Sequence, residues 1–215
     1  MQGNGVYMDE VMTSGPWASY WNNSLTFSED VNPELQNYML LTIEYFPELS
    51  SIPIHVEMAP TTDFKNATIV GNVRYGKLKP DGGWMALITF NLKPIIPISK
   101  YIIGHEYTHV IIQKQWQEEV VNAIPRTEKS CDMNTFARHP DLCGHPAYVE
   151  LTSDAWSFLQ IPSARKKMCH LARLALKKRK AGFHAYIAWF QAQMRLAFIT
   201  QNFEINGDRL GLSNG

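Results

Sequence analysis

The sequence predicts an α+β fold, and three observations carry that prediction: a helix period over residues 33–46, strand-like segments between 51 and 92, and helix periods again beyond residue 99. Asn32-Pro33-Glu34 is a helix start, with a cap, then proline, then an early acid. Leu35, Tyr38, Met39, Tyr45 and Phe46 keep the period, with Thr42 as the polar member of that face, and Pro47 ends it. Residues 51–58 and 67–75 read as strands. Pro80-Asp81-Gly82-Gly83 is a turn signal, and residues 84–92 follow as a third strand, which makes a hairpin with the second.

Beyond residue 99 the pattern changes to helices. Residues 99–121 carry a helix period. Residues 122–145 are rich in Pro, Asn and Asp and read as a long loop, a feature that is often functional in a compact domain. A helix is expected over 146–160, a basic one from Pro162 to about Lys180, and a last amphipathic one from Phe183 to about Phe203. The organisation expected is an irregular lead-in over 1–30, a core over 31–160, helices packed on it over 161–205, and a tail over 206–215.

Composition bounds the function. With 215 residues and 45% apolar content, the chain can bury a sizeable core. No apolar run is long enough to span a bilayer. The N-terminus lacks the basic and apolar regions of a signal peptide, so the expected location is cytoplasmic, or the chain begins at a mature terminus. Three cysteines are too few for a disulfide scaffold, although Cys131 and Cys143 bracket a polar loop that they close if the environment is oxidising. Residues 1–63 hold nine acids and no Lys or Arg, whereas eight of the 20 basic residues fall between Arg165 and Lys180. Such a segment fits a nucleic-acid surface, but a solvated helix face is the favoured reading.

The chemistry concentrates in His105-Glu106-Tyr107-Thr108-His109. On a helix, residues four apart are separated by about 6 Å of rise and about 40° of rotation, so both imidazoles project from one face. Two such nitrogens can meet one zinc ion, and Glu106 is placed beside them to hold a water as general base. The neighbours Ile102, Ile103, Gly104, Tyr107, Thr108, Val110 and Ile111 are uncharged, as a core helix bearing buried ligands requires. The competing reading is two histidines satisfied by hydrogen bonds in a core.

A catalytic zinc usually takes three protein ligands. The best candidate for the third is Glu150, with Asp154 one turn on to accept the outer N–H of a ligating histidine. Both acids stand in the otherwise uncharged segment 146–158. The competing reading is a pair of surface acids. Rival ligands are His145 and, more weakly, His139. A separate site from Cys131, Cys143 and His145 lacks a close cysteine pair.

The two motifs together, His105-Glu106-Tyr107-Thr108-His109 and Glu150-Leu151-Thr152-Ser153-Asp154, resemble the gluzincin metallopeptidases, the thermolysin-like group. The resemblance covers residues 50–160. It implies a zincin-like fold with a small antiparallel or mixed sheet before the active-site helix and a C-terminal helical portion. It implies zinc on His105, His109 and Glu150, Glu106 as base and Asp154 behind the ligands. The 40 residues between His109 and Glu150 are long for a minimal member of the group. With His145 as third ligand the chain would instead resemble SprT-like proteases acting on DNA-bound protein, and the basic segment would gain a role.

The expected activity is therefore zinc-dependent hydrolysis of peptide bonds in a protein or peptide substrate. The transition-state oxyanion needs a donor, and Tyr148 and His145 are candidates, with His170, His184 and Tyr186 also open. The strand over 84–92, if it is a sheet edge, can pair with an extended substrate. The alternative is a zinc-binding structural or interaction protein without turnover.

Overall fold

The computed structural model describes residues 25–64, 70–79, 82–94, 97–121, 123–143 and 162–209, with side chains described as far as residue 197. The chain forms two compact units, Met1–Ile95 and Ile96–Gly215. The architecture is α+β, with a mixed four-stranded sheet in the first unit and helices dominating the second.

In the first unit, β1 (Leu25–Phe27) leads into α1 (Pro33–Ile43), followed by β2 (Ile54–Ala59), β3 (Gly71–Gly76) and β4 (Met85–Asn91). The Asn32 side chain accepts from the Leu35 N–H at 2.8 Å and Pro33 opens the first turn, as the sequence predicts. The helix buries Leu35, Met39, Thr42 and Ile43, then passes through a turn into a short 3-10 segment at Pro47–Leu49. The sheet order is β1-β2-β4-β3. The β3–β4 pair is the expected antiparallel hairpin. β1, however, lies in the segment expected to be irregular, and it pairs parallel with β2. β2 in turn pairs parallel with β4. β4 is therefore flanked on both sides, which corrects the expectation that it is an edge able to take up substrate. Its nearly continuous apolar run follows from this central place: Ala86, Ile88 and Phe90 are fully buried. Its polar residues are matched, with Thr89 donating to Glu57 at 2.9 Å and Asn91 accepting from Thr61 at 2.8 Å.

In the second unit, α2 (Lys100–Gln117) starts at Ser99, whose hydroxyl accepts from the Ile102 N–H. The segment read as a loop over 122–145 contains α3 (Glu128–Arg138), capped by Thr127 accepting from the Ser130 N–H at 3.1 Å, and a 3-10 segment at Pro140–Cys143. The reason for that misreading is chemical. Ser130, Asp132, Asn134 and Thr135 are residues that usually compete with a helix for its backbone groups. Here the Asn134 amide and the Thr135 hydroxyl donate to carbonyls one turn back, at 2.8 and 2.9 Å, and every residue from Cys131 to Arg138 is buried.

α4 (Pro162–Lys180) and α5 (Tyr186–Arg209) complete the unit. α4 buries Ala164, Met168, Leu171, Ala172 and Ala175, an apolar stripe at helical spacing. Gly182 ends it in the left-handed region at φ 82°, with its N–H on the Arg179 carbonyl. The basic residues lie off the buried stripe. Lys178 stands over the Phe183 and Trp189 rings, and Arg179 over Tyr186. Among the described residues no helix is long and apolar enough to cross a membrane.

Candidate metal centre

The expected pair is in place on one face of α2. The Nε2 atoms of His105 and His109 stand 3.1 Å apart, and the two rings meet edge to face with centroids 4.7 Å apart. Two imidazole nitrogens cannot face each other at that distance with lone pairs alone; a proton or a metal ion must lie between them. The uncharged neighbours Ile102, Ile103, Gly104, Tyr107, Thr108, Val110 and Ile111 are all buried, and so is Glu106.

The other half of the centre comes from α3. Glu128 Oε2 lies 2.9 Å from His105 Nε2 and 3.4 Å from His109 Nε2. These three atoms form a triangle with sides of 3.1, 2.9 and 3.4 Å. The circle through them has a radius of about 1.8 Å, so one ion at the usual zinc–ligand distances of about 2.0 to 2.2 Å reaches all three. One turn further along α3, Asp132 Oδ1 lies 2.9 Å from His105 Nδ1. Because that carboxylate accepts, Nδ1 carries a proton, which leaves Nε2 as the nitrogen that can ligate once its own proton is displaced. Asp132 also accepts from the Tyr101 hydroxyl, and the Tyr101 ring stacks on Phe136 at 5.2 Å. Cys131 sits between Glu128 and Asp132 on the same face of α3. Its sulfur and one nitrogen from each histidine all lie within 4.8 Å of one another, a set that can hold a metal ion.

The two helices are fixed by close packing directly behind these side chains. The Thr108 hydroxyl is 2.9 Å from that of Thr135 and donates to the Gly104 carbonyl, which lies 3.3 Å from the Thr135 hydroxyl. A Cβ on Gly104 would stand 3.1 Å from Thr135 Cγ2 and 3.3 Å from both Leu142 methyls, so a larger residue there would force these side chains to give by a few tenths of an ångström.

The electrostatics favour a cation. Burial by itself lowers the His109 pKa, but hydrogen bonds with Cys131 and Glu128 overcome it and push it up to about 10. His105 behaves likewise: against burial, the Cys131 sulfur, Asp132 and Glu128 hold it well above its ordinary value. The same two histidines hold the exposed Glu128 carboxyl well below the usual carboxylate range. Burial raises the Glu106 pKa, partly offset by the neighbouring imidazoles, which moves it towards the range of a working base.

Of the residues expected from the sequence, His105, His109 and Glu106 are brought together on α2. Glu150, Asp154, Tyr148 and His145 lie outside the described residues. His139 follows the end of α3 and accepts from the Asp141 N–H at 3.2 Å. Cys131, Cys143 and Cys169 form no disulfide with one another, so the expected loop closure between Cys131 and Cys143 is not made. Sequence reasoning passed over Glu128 and Asp132, and weighed Cys131 only for a separate site with Cys143 and His145. Their signal was present, since Glu128-Lys129-Ser130-Cys131-Asp132 repeats the glutamate-to-aspartate spacing of residues 150–154. It was missed because the segment did not read as a helix.

The chain matches no protein-family model, no curated protein and no solved structure.

Proposed function

We propose that this protein is a zinc-dependent peptidase of gluzincin type, with zinc held by His105, His109 and Glu128. The observation that supports this reading best is the triangle of Nε2, Nε2 and Oε2 on α2 and α3, backed by Asp132 on His105. The 18 residues between His109 and Glu128 also suit a compact member of that group better than the 40 before Glu150. When bound, zinc supplies a Lewis acid for the scissile carbonyl and the attacking water. Glu106 takes the proton of that water and passes it to the leaving amine. Its raised pKa fits a group that must both accept and return a proton. Asp132 holds His105 in the ligating tautomer, and Tyr101 holds Asp132. The substrate class is protein or peptide.

Glu106→Gln tests the reading. The variant is expected to keep its zinc and lose peptide hydrolysis by about a hundredfold to ten-thousandfold, the range of a lost general base. Full activity in that variant would remove Glu106 from the mechanism.

A second reading, a metal-binding protein without turnover, is favoured by Cys131, which offers a further protein ligand and so a closed site. In that case metal binds stoichiometrically and wild type and Glu106→Gln are equally inactive.

A further inference from the structure

The peptidase reading leaves one group of the centre unused. Cys131 is fully buried, points back at α2, and places its sulfur 3.1 Å from the His105 carbonyl. Its distances to the histidine nitrogens do not exceed 4.8 Å. Sulfur and nitrogen sharing one zinc ion, at about 2.3 and 2.0 to 2.1 Å, are about 3.6 Å apart in a tetrahedral site. A sulfur shift of about 1.2 Å closes the largest gap these distances allow, by giving up its contact with the His105 carbonyl. Nothing covalent stands in the way, because Cys131 is a free thiol.

The contrast with Glu128 bears on what such a ligand does. The Glu128 side chain is 76% exposed, whereas Cys131 is enclosed by α2 and α3. The exposed carboxylate can swing into solvent, whereas the enclosed Cys131 sulfur leaves an ion only by moving back to its place against the His105 carbonyl. Two imidazoles, a carboxylate and a thiolate satisfy a tetrahedral ion completely, and a hydrolytic site needs one position open.

Resting on the peptidase reading, we propose that Cys131 is a fourth protein ligand that closes the metal centre in its resting state, so that hydrolysis requires the thiolate to leave. On ligation the thiol gives its proton to solvent and forms the sulfur–metal bond; on release the sulfur takes a proton back. Soft thiolate ligation also favours zinc or cobalt over magnesium and manganese at this centre.

Cobalt(II) is the probe. The metal-free full-length protein is titrated with Co2+ and its absorption recorded for wild type, Cys131→Ser, Cys131→Ala, Cys169→Ser and His109→Ala. The expected result is one equivalent of cobalt with an intense near-ultraviolet sulfur-to-cobalt band in wild type and Cys169→Ser. Both Cys131 variants should bind cobalt without that band and, loaded with zinc, hydrolyse denatured casein faster than wild type. Stoichiometric cobalt with no sulfur band in wild type would overturn the role of Cys131 and leave the peptidase reading standing. Cobalt binding that does not depend on His109 would overturn both. If the serine variant fails to fold, the alanine variant carries the comparison.

Discussion

α2 and α3 supply the two halves of one centre, yet they differ in almost every property that a sequence displays. α2 is apolar around its ligands, with Ile102, Ile103, Val110 and Ile111 buried, so His105, Glu106 and His109 stand out against their surroundings. α3 is polar along most of its length, and Glu128 and Asp132 are two acids among Lys129, Ser130, Asn134 and Thr135. In α2 a polar ligand interrupts a hydrophobic pattern. In α3 the hydrophobic pattern is itself replaced by polar side chains that satisfy each other and the backbone, as Thr108, Thr135 and the Gly104 carbonyl do. The lesson is that a ligand helix is legible when only its ligands are polar, and illegible when its packing is polar too.

The largest effect is expected at Asp132, where α3 reaches across to fix the tautomer of His105. Asp132→Asn should weaken zinc binding by about ten- to a hundredfold, the usual consequence of losing an outer hydrogen-bond partner. Zinc competition with a chromophoric chelator measures it, and unchanged affinity would separate Asp132 from the centre.

The next effect is pH dependence. In the metal-free chain His109 holds its proton up to about pH 10, so zinc must displace that proton at every lower pH. Apparent zinc affinity should fall by about tenfold for each displaced proton per unit of acidification, with His105 adding to the slope. The stability of the metal-free chain should move in its own pattern. The raised His109 pKa stabilises the fold fully below about pH 6.5, and that contribution is lost as pH rises through about 10. The lowered Glu128 pKa stabilises it above about pH 4.5 and is lost on acidification, in an exposed setting where salt screens it. Urea unfolding of metal-free protein at pH 6 and pH 10 checks the sign: greater stability at pH 10 from this pair would contradict it.

The smallest effect is expected behind the ligands. Gly104→Ala presses a methyl against Thr135 and Leu142 and should cost about 1 kcal/mol, the low end of overpacking, read as a lower urea midpoint. An unchanged midpoint would mean that the two helices can move apart freely.

Much of the fold could be read before the structure. The cap at Asn32, the β3–β4 hairpin, the histidine helix and the basic helix from Pro162 to Lys180 each rest on a local signal. β1 was not legible because three residues carry no period, and its place depends on parallel pairing with β2, far along the chain. The interior position of β4 was not legible because parallel neighbours leave no turn signal between them. In the centre, the histidine pair was fixed by spacing alone, while the group opposite it depended on recognising α3 as a helix. Glu128 and Glu150 carry the same downstream aspartate spacing, and only tertiary placement sets Glu128 against the histidines.

Zinc content reads out the placement of Glu128 against the two histidines. Wild-type protein and the Glu150→Gln variant are expected to hold one zinc ion per chain after dialysis, while Glu128→Gln and His109→Ala are expected to lose it. Zinc retained by Glu128→Gln but lost from Glu150→Gln would contradict the α2–α3 centre and put the third ligand at Glu150.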